Sequence, residues 1–296
     1  MDLKDTGILS FESADSGPWG DILSNRLTRK DKVKVGFLGC GYFEYWRMFS
    51  DQFKQNVLGD LQKIADRLGK DFDVVYPGVV DTLDAADKAG KTFAENKVDV
   101  VIVVEGTYLP DFITLHALSY IPDAPVVLFT TQVEEDISAK DNYEDLMRNS
   151  ALIGTAQLSG TFKKMDRKYD VVVGSIGEER PYIEISKIIR TFHVAQRLKD
   201  LTIGVVGHVF RGMYDLENDK TKIKGALGPD VIYVEMCHLI NQWKTVTDEE
   251  AMAVAESMAS RFTMRGTTKD DLVRSCKLGI AMEKLIDHLN LDALCF

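Results

Sequence analysis

Short apolar runs alternate along the chain with longer stretches in which apolar residues recur every three or four positions. Val33-Lys34-Val35-Gly36-Phe37-Leu38-Gly39 reads as a buried strand ending in glycine. Over 49–68, Phe49, Phe53, Val57, Leu61, Ile64 and Leu68 fall on one helical stripe. The pattern predicts further strands at 72–80, 98–105, 125–131, 169–174, 201–207 and 231–236. Helices are predicted between them at 82–96, 110–119, 141–165, 179–198, 217–226, 247–261 and 268–288. Near-continuous Val/Ile runs such as Val101-Ile102-Val103-Val104 are buried on both faces, as parallel strands require.

Strands alternating with helices make βαβ units. With right-handed crossovers these predict an α/β protein of two doubly wound, mostly parallel open sheets, Rossmann-like or flavodoxin-like. Leu201-Thr202-Ile203-Gly204-Val205-Val206-Gly207 restarts the glycine-ended pattern after the polar break Lys199-Asp200. The expected division is a first α/β domain over 31–199 and a second over 200–296. Residues 1–30 are polar and weakly patterned, with a turn at Ser16-Gly17-Pro18, and read as an N-terminal arm. Leu291-Asp292-Ala293-Leu294-Cys295-Phe296 reads as one more buried strand. A domain ending on a core strand predicts that the chain was cut or that the natural protein continues.

The 296 residues give room for two domains, and 45% hydrophobic with 28% charged residues is ordinary globular composition. The formal charge is 36 − 46 = −10, with no concentrated basic run, which argues against a nucleic-acid partner. Cys40, Cys237, Cys276 and Cys295 lack the clustering of a disulfide framework or zinc site and read as reduced thiols. Neither a basic-then-apolar leader nor an apolar run of about 20 residues stands out, so a cytoplasmic protein with no membrane partner is expected.

Gly39-Cys40-Gly41 is a partial dinucleotide fingerprint, but Glu44 stands where its third glycine belongs, and an anion there opposes a pyrophosphate. A tight turn at a strand end is the plain alternative. Tyr42-Phe43-Glu44-Tyr45-Trp46-Arg47 is a loop crowded with aromatics at the carboxyl end of the first strand, where open α/β sheets bind ligands. Aromatic faces suit the C–H faces of sugars, and packing against a neighbouring domain or subunit fits equally. Other strand-end loops supply Glu105-Gly106-Thr107-Tyr108, Thr130-Thr131-Gln132, Gly174-Ser175-Ile176-Gly177 and Gly207-His208-Val209-Phe210-Arg211. Neutral hydrogen-bonding groups predominate, which suits a polyol better than a phosphate. The substrate-binding candidates are therefore Tyr42, Tyr45, Trp46, Thr107, Gln132, Phe210 and Arg211. For Arg211 the alternative is a salt bridge to Asp215 or Glu217. His208, Glu235 and His238, near strand ends of the second domain, are an alternative metal set, opposed by the absence of any local ligand signature.

The order Val101–Val104 with Gly106-Thr107-Tyr108, then Pro125-Val126-Val127-Leu128-Phe129-Thr130-Thr131-Gln132, resembles the first domain of L-arabinose isomerases, in the L-arabinose/L-fucose isomerase family. There a similar strand ends in His-Thr-Gln. Asn149-Ser150-Ala151-Leu152-Ile153-Gly154, Tyr169-Asp170-Val171-Val172-Val173-Gly174 and Val206-Gly207-His208-Val209-Phe210-Arg211-Gly212-Met213 follow in the same order, so the resemblance covers about 33–296. It implies aldose–ketose isomerisation, in which a Mn²⁺-type ion polarises the sugar oxygens and a carboxylate moves a proton through an ene-diol. It also implies homo-oligomers, trimers or hexamers, with shared sites. The family's first-domain histidine aligns with Ile153, and a glutamine after its first strand aligns with Gly41. These departures point to a separate branch or a different sugar. The family's catalytic carboxylates and metal ligands come after the strand that matches 293–296. The resemblance therefore implies no third, catalytic domain, no catalytic residue and no bound metal in this chain, and no activity from it alone. The competing expectation is a non-catalytic sugar-binding or sensor module of two α/β domains.

Overall fold

The computed structural model describes residues 33–133 and 138–296. The arm expected over 1–30 lies outside the described residues. The chain divides into two compact units, one holding 32–195 and the other 196–296.

The first unit carries β1 (Lys34–Cys40), α1 (Tyr45–Met48), α2 (Asp51–Leu68), β2 (Asp73–Val75), α3 (Leu83–Asn96), β3 (Val100–Glu105) and α4 (Asp111–Leu118). It continues through β4 (Val126–Gln132), α5 (Tyr143–Arg148), α6 (Ala151–Lys164), β5 (Asp170–Ser175) and α7 (Arg180–Lys199), whose last residues pass the division. Five strands form one sheet in the order β2-β1-β3-β4-β5, every neighbouring pair parallel. The doubly wound α/β expectation is met. One core cluster joins Val35, Phe37, Ile102 and Phe129 to the α2 stripe Phe53, Val57, Leu61, Ile64 and Leu68, and to Ile185 and Ile189 of α7. The other joins Leu38, Cys40, Val101, Val103 and Leu128 to α3, α4 and α6 through Phe93, Ile113, Leu158 and Phe162. Strands covered on both faces explain the unbroken apolar runs. Local signals fix the helix starts: Ser50 accepts from Phe53 N, and Thr82 from Ala85 N.

Three local readings are corrected. The strand expected over 72–80 is only Asp73–Val75. Pro77 has no N–H to give the ladder, Gly78 takes a positive φ of 99°, and the chain rejoins the sheet in a single bridge from Val80 to Cys40. The helix expected over 141–165 breaks into α5 and α6 at Asn149-Ser150. There Asn149 Oδ1 accepts from Val133 N, and Ser150 Oγ donates to Met147 O while accepting from Tyr108 N. Side chains that bond other segments' backbone compete with helix continuation. Residues 45–48 of the aromatic loop form the single turn α1.

The second unit carries β6 (Thr202–Val206), α8 (Lys220–Leu227), β7 (Asp230–Val234), α9 (Met236–Thr245), α10 (Asp248–Arg261), α11 (Lys269–His288) and β8 (Ala293–Cys295). Its three strands run parallel in the order β7-β6-β8. The core is small: Val206, Val234, Leu239, Val246, Ala281, Leu285 and Leu291. Helix α9 was not expected. Only Glu235 separates the apolar Val231–Val234 from Met236, and no turn signal marks where strand gives way to helix. Among the described residues no helix is long and apolar enough to cross a membrane, and all four cysteines are free.

Candidate functional site at the carboxyl edge of the first sheet

From β1 the chain goes outward to β2 on one side and, by the crossover of α3, to β3 on the other. The carboxyl ends of β1 and β3 thus flank the point where strand order reverses, the crevice in which sheets of this order hold ligands. Gly106 N donates to Cys40 O (2.8 Å) and Gly41 N to Val80 O (3.1 Å), which fixes the loop starts side by side.

The aromatic loop straddles this edge. Tyr42 packs against the cluster that contains Cys40, whereas Tyr45, Trp46 and Phe49 pack against the opposite one. Its rings form a chain of contacts: Tyr42 to Tyr45 at 5.6 Å, Tyr45 to Phe49 at 5.6 Å, and Phe49 to Tyr143 of α5 at 5.5 Å. Trp46 is half-buried and donates its indole N–H to Asp81 (2.8 Å). Its ring explains Gly41, because a Cβ there would lie 2.6 Å from Trp46 Cζ2. Gly39 lies within β1, not in a loop. The partial fingerprint is therefore accounted for by packing.

Thr107 is buried: its hydroxyl accepts from Tyr42 N and donates to Tyr108 O, both at 3.2 Å. Its hydroxyl thereby ties the two loops together. Gln132 ends β4 half-buried, its carbonyl accepting from Ile176 N (3.0 Å). The structure thus brings Tyr42, Tyr45, Trp46 and Thr107 together, with Gln132 two strands along from β1. Sequence reasoning noted Tyr108 only as part of a loop and missed Tyr143. Burial first, then the nearby Tyr143, Tyr108 and Tyr42, hold the Tyr45 hydroxyl above the ordinary tyrosine value. Tyr108 hydrogen-bonds Gln157 (2.9 Å). The alternation of strand and loop hid Tyr143, which comes from a helix about 100 residues downstream.

Glu105 was noted only as part of a loop. It is the last residue of β3, fully buried beside Cys40 in the β1–β3 register. Burial first, and then Asp111, push its carboxyl well above the usual carboxylate range. Burial and Glu105 raise the Cys40 thiol, with the Thr114 contact (3.6 Å) opposing them. Burial thus favours the protonated form of Glu105 relative to a carboxyl in solvent.

In the second unit, Phe210 and Arg211 are exposed on the segment after β6, Phe210 at 75%. Arg211 forms no salt bridge to Asp215 or Glu217. His208, Glu235 and His238 are exposed; Glu235 follows the end of β7 directly and caps α9, and His238 lies in the first turn of α9, with His238 N donating to Glu235 O (2.9 Å). Among the described residues no three His, Cys, Asp or Glu side chains gather into a group that could hold a metal ion. The described residues, His208, Glu235 and His238 among them, therefore do not fit a Mn²⁺-type ion. Compared with known proteins, the chain matches no family model and no curated protein.

Proposed function

We propose that residues 33–296 are the sugar-binding and assembly portion of an aldose–ketose isomerase of the L-arabinose/L-fucose type. The sugar lies along the carboxyl edge of the first sheet. The observation that carries this reading is the row Tyr42, Tyr45, Phe49 and Tyr143 at the strand-order reversal, beside the buried acid Glu105. Aromatic faces pack on the C–H faces of a sugar and their hydroxyls bond its oxygens. A site with little charge favours a neutral polyol over a phosphate. In this reading the chain binds, orients and excludes water from the sugar. Assembly into homo-oligomers, in trimers or hexamers, covers exposed apolar residues such as Ile153, Val171 and Val173.

Titration calorimetry on the pure chain tests this, with L-arabinose, L-fucose, a sugar phosphate and NAD as titrants. Saturable binding of a neutral sugar, weakened by Tyr45→Ala, is expected. Binding of the phosphate or NAD with no response to either sugar would overturn the reading.

A further inference from the structure

Glu105 is 1% exposed. Among the described residues no donor or acceptor reaches either of its carboxyl oxygens, both sealed from solvent. Its surroundings offer little. The Cys40 thiol is taken up by Thr114 and by Leu38 O. The nearby Asp111 carboxylate is engaged by Gln157 (2.8 Å) and Thr161 (2.5 Å). A buried polar group without a partner destabilises a fold, and an apolar side chain of similar size would remove that penalty. Retention of the acid here needs a reason other than stability.

Its cover gives one. Helix α6 passes over the carboxyl at Gly154, where a Cβ would lie 1.7 Å from Glu105 Oε2. The break before α6 is fastened to the sheet edge by Tyr108 N to Ser150 Oγ (3.0 Å) and Val133 N to Asn149 Oδ1 (2.9 Å). The first turns of α6 expose Leu152 and Ile153. An unpartnered acid thus sits at the strand-order reversal, beneath a helix start whose backbone comes close only because residue 154 is glycine.

We propose that Glu105 is a ligand-binding residue of this edge, pairing with two neighbouring hydroxyls of a neutral polyol when the start of α6 lifts away from it. A neutral carboxyl offers one O–H donor and one carbonyl acceptor. Adjacent hydroxyls, one accepting and one donating, match that pair. The assignment deepens the sugar reading and rests on it.

The test compares wild type, Glu105→Gln and Glu105→Leu in the full chain, by calorimetry with L-arabinose and L-fucose and by melting temperature. Glutamine keeps one donor and one acceptor, so Glu105→Gln should bind within about threefold of wild type. Glu105→Leu should weaken binding on the order of 30-fold, about fivefold for each of two hydrogen bonds. Its melting temperature should rise by about 2–4 °C as the unpaired group is removed. Opposite signs for binding and stability are what a merely structural residue would not give. The proposal is overturned if Glu105→Leu binds like wild type, if its melting temperature falls along with binding, or if Glu105→Gln is as weak as Glu105→Leu. Wild type that binds neither sugar removes the sugar reading of the edge and this assignment together. Wild-type binding that Glu105→Leu leaves intact removes this assignment alone.

Discussion

Gly154→Ala sets two opposed effects against each other. Gly154 is the fourth residue of α6, where alanine in place of glycine should stabilise the helix by about 1 kcal/mol. The added Cβ, however, would lie 1.7 Å from Glu105 Oε2, when real Cβ contacts stay beyond 3.0 Å. The carboxyl is enclosed and has no open side into which to retreat. Overpacking of this kind costs about 1–3 kcal/mol, and the short distance puts it in the upper half of that range. The net expectation is a loss of about 1–2 kcal/mol. For a unit of this size that lowers the melting temperature by about 2–8 °C, taking 2–4 °C per kcal/mol. Circular dichroism melts of wild type, Gly154→Ala, Glu105→Ala and the double variant complete the cycle. With the carboxyl gone, Gly154→Ala should become stabilising by about 1 kcal/mol, a coupling of about 2–3 kcal/mol. A Gly154→Ala variant that melts higher than wild type would refute the placement of α6 on Glu105.

Three further outcomes are expected. Asp60 of α2 is buried and takes both Arg148 Nε and Nη2 of α5 at 2.6 Å, so Asp60→Ala should lose about 2–4 kcal/mol in urea denaturation, and a loss under 0.5 kcal/mol would contradict the pairing. Because burial raises the Glu105 pKa in the folded chain, its contribution is fully present below the unfolded value of 4.5 and is lost as pH rises through the folded value. Stability curves against pH should therefore show wild type falling relative to Glu105→Gln from pH 4.5 upward, and parallel curves would count against a neutral buried acid. A Cβ on Gly90 of α3 would lie 2.6 Å from Ala117 O and 2.4 Å from Tyr120 Cδ2, so Gly90→Ala should cost about 1–3 kcal/mol, and Tyr120→Ala should not rescue it because the carbonyl stays.

The first sheet was legible because its strands are buried on both faces and its helices carry a clear stripe, as Phe53, Val57, Leu61, Ile64 and Leu68 do. Where a few polar contacts decide the backbone, periodicity failed. The α5–α6 break rests on Val133 N and Tyr108 N, which lie far from Asn149 and Ser150 in sequence. Helix α9 follows β7 after a single residue, Glu235, so no Gly, Pro or Asn turn signal separates strand from helix. The aromatic loop was visible as composition, but the part each residue plays was not. Trp46 is spent on Asp81 and Gly41, Thr107 on two loop backbones, and Tyr143 arrives from α5. Glu105 was hidden because a carboxylate at a strand end ordinarily points to solvent. Its burial and the seat of Gly154 on its oxygen show that this one does not.

Amide hydrogen exchange followed by mass spectrometry, with and without saturating L-arabinose or L-fucose, tests the central claim most directly. Sugar bound along the first sheet's carboxyl edge should slow exchange over 41–49 and 106–109, the segments that start from β1 and β3, and leave 236–261 unchanged. Unaltered exchange over 41–49 and 106–109 at saturating sugar, or protection confined to 207–213, would contradict it.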